Sequence, residues 1–196
     1  MMRTKKNRSS FFFVSRLEQA AKSRTHLFRD AQTTAFRVLN GEGDGIGGVT
    51  IDYYDGFYLI QWYSEGVYTL KEDVLAALEH VYPDYKGIYE KKRFDTSGQY
   101  IEDDDFVKGE KGEFPLIVKE NGMNVAVYLN DGAMTGIFLD QRHVRKKAIR
   151  DRYAKKERLC SIHFSYTGAF SVAAALGGAS RTTSVDVANR SLKKNI

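Results

Sequence analysis

The chain has 196 residues, 42% of them apolar and 13% aromatic, enough for one or two domains with a real hydrophobic core. A single cysteine excludes a disulfide framework and suits a reducing, cytoplasmic compartment, and no stretch reaches the ~18 uncharged apolar residues of a membrane span; FFFV (11–14) is too short for a signal segment. The net charge of +5 is segregated: residues 1–29 hold eight Lys or Arg against Glu18, residues 141–158 hold nine against Asp151 and Glu157, and residues 30–140 carry nine basic and 21 acidic groups. Such segregation aims particular surfaces at a polyanion, with solvated helix faces and a basic leader as the alternative.

Residues 13–32 read as a polar helix with Leu17, Ala20, Ala21, Phe28 and Ala31 loosely periodic. The glycine loop NGEGDGIGG (40–48) spells G-x-G-x-x-G at Gly43, Gly45 and Gly48, but a strand follows instead of a helix, so no helix N-terminus receives a phosphate. It also imitates the start of a calcium loop at Asn40, Glu42 and Asp44, yet the twelfth position is Ile51 and the bidentate ligand is missing. These glycines are expected to supply positive-φ turns that lead into a hairpin. That hairpin is VTIDYY (49–54) and FYLIQWY (57–63) around Asp55-Gly56, a favoured two-residue turn.

A helix is predicted over 69–80, with Leu70, Val74, Leu75 and Leu78 on one face and Pro83 beyond its end. GIYEK (87–91) reads as a strand, another lies near 98–108, and the carboxylates Glu102 to Asp105 read as a solvated loop instead of a metal site, since four consecutive carboxylates cannot all face one ion. A second hairpin, EFPLIVKE (113–120) and MNVAVYL (123–129), turns on Asn121-Gly122. TGIFLDQRHVRKKAI then runs a short strand into a helix, with Asp140 as its expected N-cap. The cluster Arg145, Lys146 and Lys147 is the candidate RNA contact, because clustered cations are the common partners of phosphate.

Residues 158–186 order a strand, a tight turn, an Ala-rich helix and a second strand ending on Asp186. This is the unit that sets a nucleotide-like ligand at a helix N-terminus with a carboxylate across from its ribose. The turn Phe164-Ser165-Tyr166-Thr167-Gly168 has one glycine where a dinucleotide fingerprint has three. Phe164 and Tyr166 leave little room for a diphosphate but suit a phosphate-free nucleoside, and S-adenosyl-L-methionine fits that description best. Asp186 follows Gly168 by 18 residues, close to the spacing of roughly 20 for a ribose-binding acid. The alternative is a structural βαβ unit with a surface Asp.

FRVLNGEGDGIGGVTID (36–52), TGIFLDQRHVRK (135–146) and FSYTGAFSVAAALGGA (164–179) resemble the class I methyltransferases, transferases of rRNA processing, that modify cytosine C5 in large-subunit ribosomal RNA. In that family an RNA-binding PUA domain comes first, a small β-β-α-β-β domain second and a Rossmann-like methyltransferase domain last. The resemblance runs from about residue 13 to Ile196 and implies a mixed α/β and α+β chain: a basic leader and linker helix (1–33), a β-β-α-β-β domain (34–110) and the N-terminal part of the Rossmann-like domain (111–196). The N-terminus leaves no room for a whole PUA domain and the chain stops ten residues after Asp186, so an incomplete chain is the expectation.

The resemblance also implies a cofactor pocket that includes Phe138, Asp140, Gln141 and Arg142, with an ordinary capped helix as the alternative. Ribosomal RNA is the expected partner, and homodimerisation stays open. Methylation at cytosine C5 requires a thiolate to add at C6. Cys160 is predicted to be a small buried thiol in an apolar strand, and in the family the nucleophile belongs to a motif downstream of the acidic residue. The chain alone is therefore expected to be inactive. A non-catalytic RNA- or partner-binding fragment is the competing reading, and a nicotinamide dehydrogenase the weaker one. His26, His80, His143 and His163 lack metal-ligand spacing, and His163 is expected in the core.

Overall fold

A computed structural model describes residues 3–94, 105–132, 134–147 and 158–188. The acids at 102–104, the basic stretch 148–157 and the segment SLKKNI (191–196) lie outside the described residues. The chain packs as two units, Met1–Phe114 with Leu129–Ala133, and Pro115–Tyr128 with Met134–Ile196.

The first unit opens with α1 (Arg3–Phe28), which buries Phe13, Leu17 and Ala20. Their spacing of four and three residues puts them on one stripe of the helix. Ala31 lies past the helix end and is exposed, and Phe28 is partly exposed, so the buried stripe is shorter than the predicted one. Five strands follow in sequential order across one sheet: β1 (Ala35–Asn40), β2 (Val49–Tyr54), β3 (Phe57–Trp62), β4 (Gly87–Lys92) and β5 (Phe106–Gly109). β1 is an additional strand that the sequence reading lacks; a register shift between Arg37 and Leu39 breaks its alternation. A 3-10 turn (Gly41–Asp44) links β1 to β2, with Gly41, Gly45 and Gly48 at positive φ. Its acids serve the chain itself: Asp44 pairs with Arg24 at 2.7 Å, and Glu42 accepts the Gly48 N–H at 3.2 Å.

Asp55 (φ 48°) and Gly56 (φ 98°) turn β2 into β3, the left-handed pair that matches strand twist. Two helices, α2 (Glu65–Tyr68) and α3 (Lys71–Val81), then return the chain so that β4 pairs parallel with β3. α3 buries Val74, Leu75, Ala77 and Leu78; Leu70 is partly exposed, because it lies before the first helical residue and misses that face. α1 and α3 cover one sheet face, where Phe36, Ile51, Ile60, Trp62 and Ile88 join the core. Each fully buried side chain of this kind contributes about 1.5–3 kcal/mol.

The other face is largely buried too, and there Tyr54, Phe57, Leu59 and Tyr89 sit beside a polar network. Asp52 accepts from Arg37 Nε at 2.8 Å and from Gln61 Nε2 at 3.0 Å, and Gln61 Oε1 accepts from Arg93 Nη2 at 2.7 Å. Beside them Lys91, fully buried, pairs with Asp105 at 3.1 Å and donates to the Gly132 carbonyl. Asp105 is therefore no solvated acid: a buried ammonium needs a counter-charge. Burial holds the Lys91 ammonium below its ordinary pKa, and Asp105 partly offsets this.

The second unit begins with the hairpin β6 (Leu116–Glu120) and β7 (Met123–Val127), turned by Asn121 (φ 49°) and Gly122 (φ 80°). Residues 134–138 then pass without strand pairing into a 3-10 turn (Leu139–Gln141) and α4 (Arg142–Val144), where a strand was predicted. β8 (Leu159–His163), α5 (Ala169–Leu176) and β9 (Arg181–Val185) complete it, with β8 and β9 parallel. α5 packs on this pair of strands, and the outward positions of both strands are exposed. His163 is one of these, so it is not a core histidine, and Cys160 is half-buried instead of enclosed. No helix among the described residues is long and apolar enough to cross a membrane.

Removing the carboxylate charge from a buried pair takes away the main counter-charge of its partner. Asp105→Asn is expected to destabilise the protein by about 3–5 kcal/mol, against about 0.5 kcal/mol or less for the exposed Glu113→Gln, as measured by urea unfolding. Equal midpoints for the two variants would mean that the pair holds nothing.

Candidate functional site

β8 and β9 end side by side, with His163 opposite Val185. The C-terminal edge of parallel strands is where ligands of open α/β sheets collect. The turn that leaves β8 there places Phe164, Tyr166 and Gly168 at φ of 55°, 51° and 83°. A left-handed conformation costs a non-glycine residue roughly 1–2 kcal/mol, so two aromatic residues hold it only with outside support.

Backbone amides supply the support. Ser165 N–H donates to the Val185 carbonyl at 3.1 Å, and Gly168 N–H to the Ser165 carbonyl at 2.8 Å. Tyr166 N–H donates to Asp186 Oδ2 at 2.7 Å, while Asp186 Oδ1 accepts Ala188 N–H at 2.8 Å. The Asp186 carboxylate thus bridges the turn and the exit of β9. The amides of Ala188 first and Tyr166 second hold its carboxyl below the usual aspartate range, so it is charged at neutral pH. A carboxylate has about four acceptor sites, and these bonds leave capacity for ligand hydroxyls.

α5 starts directly from Gly168 and carries no side-chain cap, so its first amides face the turn. Ser165 is buried, and its Oγ has no hydrogen-bond partner among the described residues. An unpaired buried hydroxyl costs about 1–3 kcal/mol, which a polar ligand group would relieve. The residues present thus fit a nucleoside ligand with hydroxyl and amine groups. Within this turn Phe164 is 86% exposed.

A second segment lies against the turn. Thr167 Oγ1 donates to the Gly136 carbonyl at 2.5 Å, and the Phe138 and Tyr166 rings meet with centroids 5.1 Å apart. Only glycine fits at 136: its φ is +113°, and a Cβ there would lie 2.7 Å from the Ala126 carbonyl oxygen of β7. Val125 and Ala126 of β7 and Tyr128 just beyond it line a mainly apolar cleft that continues onto Thr167, Ala169 and Val172.

The structure therefore gathers Ser165, Tyr166, Gly168, Asp186 and Phe138. Asp140 is exposed in the 3-10 turn and is not an N-cap: it already sits inside the turn, and the capping positions are Phe138 and Gln141, neither with a side-chain bond. Gln141 and Arg142 are half-buried around the start of α4. Arg145 corrects the predicted basic patch. It is 2% exposed, with Nε on Glu120 Oε1 at 2.6 Å and Nη2 on Glu120 Oε2 at 2.7 Å, so it faces no polyanion. A buried carboxylate on β6 demands a counter-ion, and Arg145 is that ion. Lys146 and Lys147 remain exposed. Glu120, Gly136 and Thr167 have no site role in the sequence reading; the available signal was the parity of β6, which puts Glu120 on the same buried face as Val118.

A family model described as S-adenosylmethionine-dependent methyltransferase matches residues 47–195. The chain belongs to the S-adenosylmethionine-dependent methyltransferase family. Over 185 residues it is 70% identical to YwbD of Bacillus subtilis (strain 168), whose name places it among ribosomal RNA large subunit methyltransferases, covering 94% of this chain and 46% of that protein. It is 38% identical over 192 residues to ribosomal RNA large subunit methyltransferase I of Yersinia pseudotuberculosis (serotype O:1b, strain IP 31758), covering 94% of this chain and 47% of that one. Among solved structures, a SAM-dependent methyltransferase from Streptococcus mutans matches with 42% identity and a TM-score of 0.83 over 94% of this chain and 46% of its own. A methyltransferase complexed with SAH matches at 43% and 0.83 over the same shares. The chain spans about half the length of the curated relatives it matches.

Asp186→Ala is expected to speed exchange of the Tyr166 amide about tenfold, because it removes the carboxylate that accepts that amide. The folded carboxyl titrates below its unfolded value, so in the native chain this protection stands above roughly pH 4 and is lost as pH falls through the lowered pKa. Exchange-rate mapping by NMR from neutral pH downward checks both; a Tyr166 rate that ignores the substitution and the acid would detach Asp186 from the turn.

Proposed function

We propose that this chain forms the S-adenosylmethionine-binding part of a cytoplasmic enzyme that methylates large-subunit ribosomal RNA, with cytosine C5 as the accepting atom. The observation that carries the reading is the Asp186 carboxylate, held against the turn from which α5 starts. Family membership and the rRNA-methyltransferase names of relatives 70% and 38% identical support the reaction class and the substrate. The cytosine C5 target rests on the resemblance of segments 36–52, 135–146 and 164–179. So does the division into a leader (1–33), a β-β-α-β-β domain (34–110) and a methyltransferase part (111–196).

S-adenosylmethionine, when bound, supplies an electrophilic methyl group on a sulfonium. In this reading the chain's own groups bind and orient it: Asp186 accepts the ribose hydroxyls, Ser165 offers its unpartnered hydroxyl, and the rings of Phe138 and Tyr166 form an apolar wall. The exposed Lys146 and Lys147 attract RNA phosphate without reading sequence. Activation of C5 needs a thiolate at C6; Cys160, half-buried in β8, is the one thiol of this chain, and the resembled family takes its nucleophile from a motif downstream of the acidic residue.

Calorimetry with S-adenosylhomocysteine is expected to show binding that Asp186→Ala weakens at least about tenfold. Absence of binding by the native chain would sink the cofactor reading. Tritiated methyl groups transferred to ribosomal RNA by the complete enzyme should be recovered in 5-methylcytidine, with no transfer by this chain alone; recovery in any other nucleoside would replace the target while leaving the reaction class. Lys146→Ala/Lys147→Ala should reduce the salt dependence of RNA binding by about 0.7–0.9 in log–log slope for each phosphate that the protein no longer neutralises. An unchanged slope would leave both lysines as solvated surface.

A further inference from the structure

The geometry points to Arg145 as a positioning residue for the turn Phe164–Gly168, an inference that rests on the cofactor reading of that turn. Arg145 is not a surface cation, and its bond to Phe138 goes to the backbone carbonyl, not to the ring assigned to the ligand. Its guanidinium joins three elements of the second unit. Two N–H groups fork onto the Glu120 carboxylate of β6, Nη2 also donates to the Phe138 carbonyl at 2.6 Å, and the carbon of the fork lies 5.2 Å from the ring of Phe170, in the first turn of α5.

The segment that Arg145 holds is the one laid against the turn. Gly136 accepts from Thr167 and the Phe138 ring packs on Tyr166, so residues 136–138 are tied to the turn at both ends. Arg145 fixes the carbonyl of the same Phe138 and, through Phe170, the helix that the turn begins. The path runs from Glu120 to Arg145, to Phe138, to Tyr166, and from the Tyr166 amide to Asp186. Every link joins groups with few alternative placements.

Stability alone does not account for this arrangement. A buried ion pair is on average no more stabilising than well-packed apolar residues of similar volume. What apolar residues cannot do is donate a hydrogen bond to a backbone carbonyl while gripping a carboxylate in a plane, and a lysine, with its compact ammonium, cannot span both acceptors with the same fork. The charge at 145 fixes orientation, and its product is the placement of Phe138 and Tyr166.

The test separates placement from stability. In Glu120→Leu/Arg145→Met the ion pair is replaced by apolar side chains of comparable size. The expected result is a melting temperature close to that of the native chain with S-adenosylhomocysteine bound about tenfold or more weakly by calorimetry, the loss of one charged hydrogen bond. A folded double variant that binds like the native chain overturns the inference. Arg145→Lys, followed by amide exchange, decides the matter if the double variant does not fold. Faster exchange at Tyr166 and Gly168 with β6–β7 amides unchanged supports positioning, and uniform or unchanged exchange overturns it. If the native chain binds no S-adenosylhomocysteine, the cofactor reading fails, and the exchange pattern in Arg145→Lys still judges Arg145.

Discussion

The turn between β8 and α5 has three left-handed residues in five, two of them aromatic, and such a backbone persists only while acceptors outside it hold its amides. The Asp186 carboxylate is the charged one among them. Because Asp186 follows directly on β9, its position depends on the parallel pairing of β8 with β9, and that register depends on α5 packing across both strands. A ligand at this place meets a surface whose shape is set before it arrives, and little ordering remains to be done on binding.

The two units solve the same problem of buried charge in related ways. Lys91 with Asp105 in one, and Arg145 with Glu120 in the other, each combine an ion pair with a hydrogen bond to a backbone carbonyl, of Gly132 and Phe138 respectively. In both cases the carbonyl belongs to a segment without regular secondary structure. Irregular segments have few backbone partners of their own, so a buried cation fixes a segment that neither helix nor sheet would order.

Elements governed by local chemistry were legible in the sequence. Asp55-Gly56 and Asn121-Gly122 dictate two-residue turns wherever apolar alternation flanks them, and both hairpins appear with those residues at positive φ. The helix over 71–81 followed from the spacing of Val74, Leu75 and Leu78. The order of turn, helix and acid at 158–186 was legible too, because the glycine and the strand end mark it. Features governed by distant partners were not. β1 was hidden by the shift at Arg37 and Leu39, which removes the period-2 signal. Arg145 reads as one of three adjacent cations until Glu120, 25 positions away, is brought against it. Asp105 reads as the last of a run of acids until Lys91 takes it inside. Charge in a sequence states a sign, and only the fold states whether water or a partner answers it.

Residues 129–133 return to the first unit while their neighbours on both sides belong to the second. The chain therefore passes from one unit to the other three times, after residues 114, 128 and 133. A protease that nicked the first of these crossings would not separate two halves: Leu129, fully buried, and the Gly132 carbonyl gripped by Lys91 would keep the C-terminal fragment anchored in the N-terminal one. Excision of the second unit as a single stretch of chain would carry Leu129 and Gly132 away with it and strip the first unit of them.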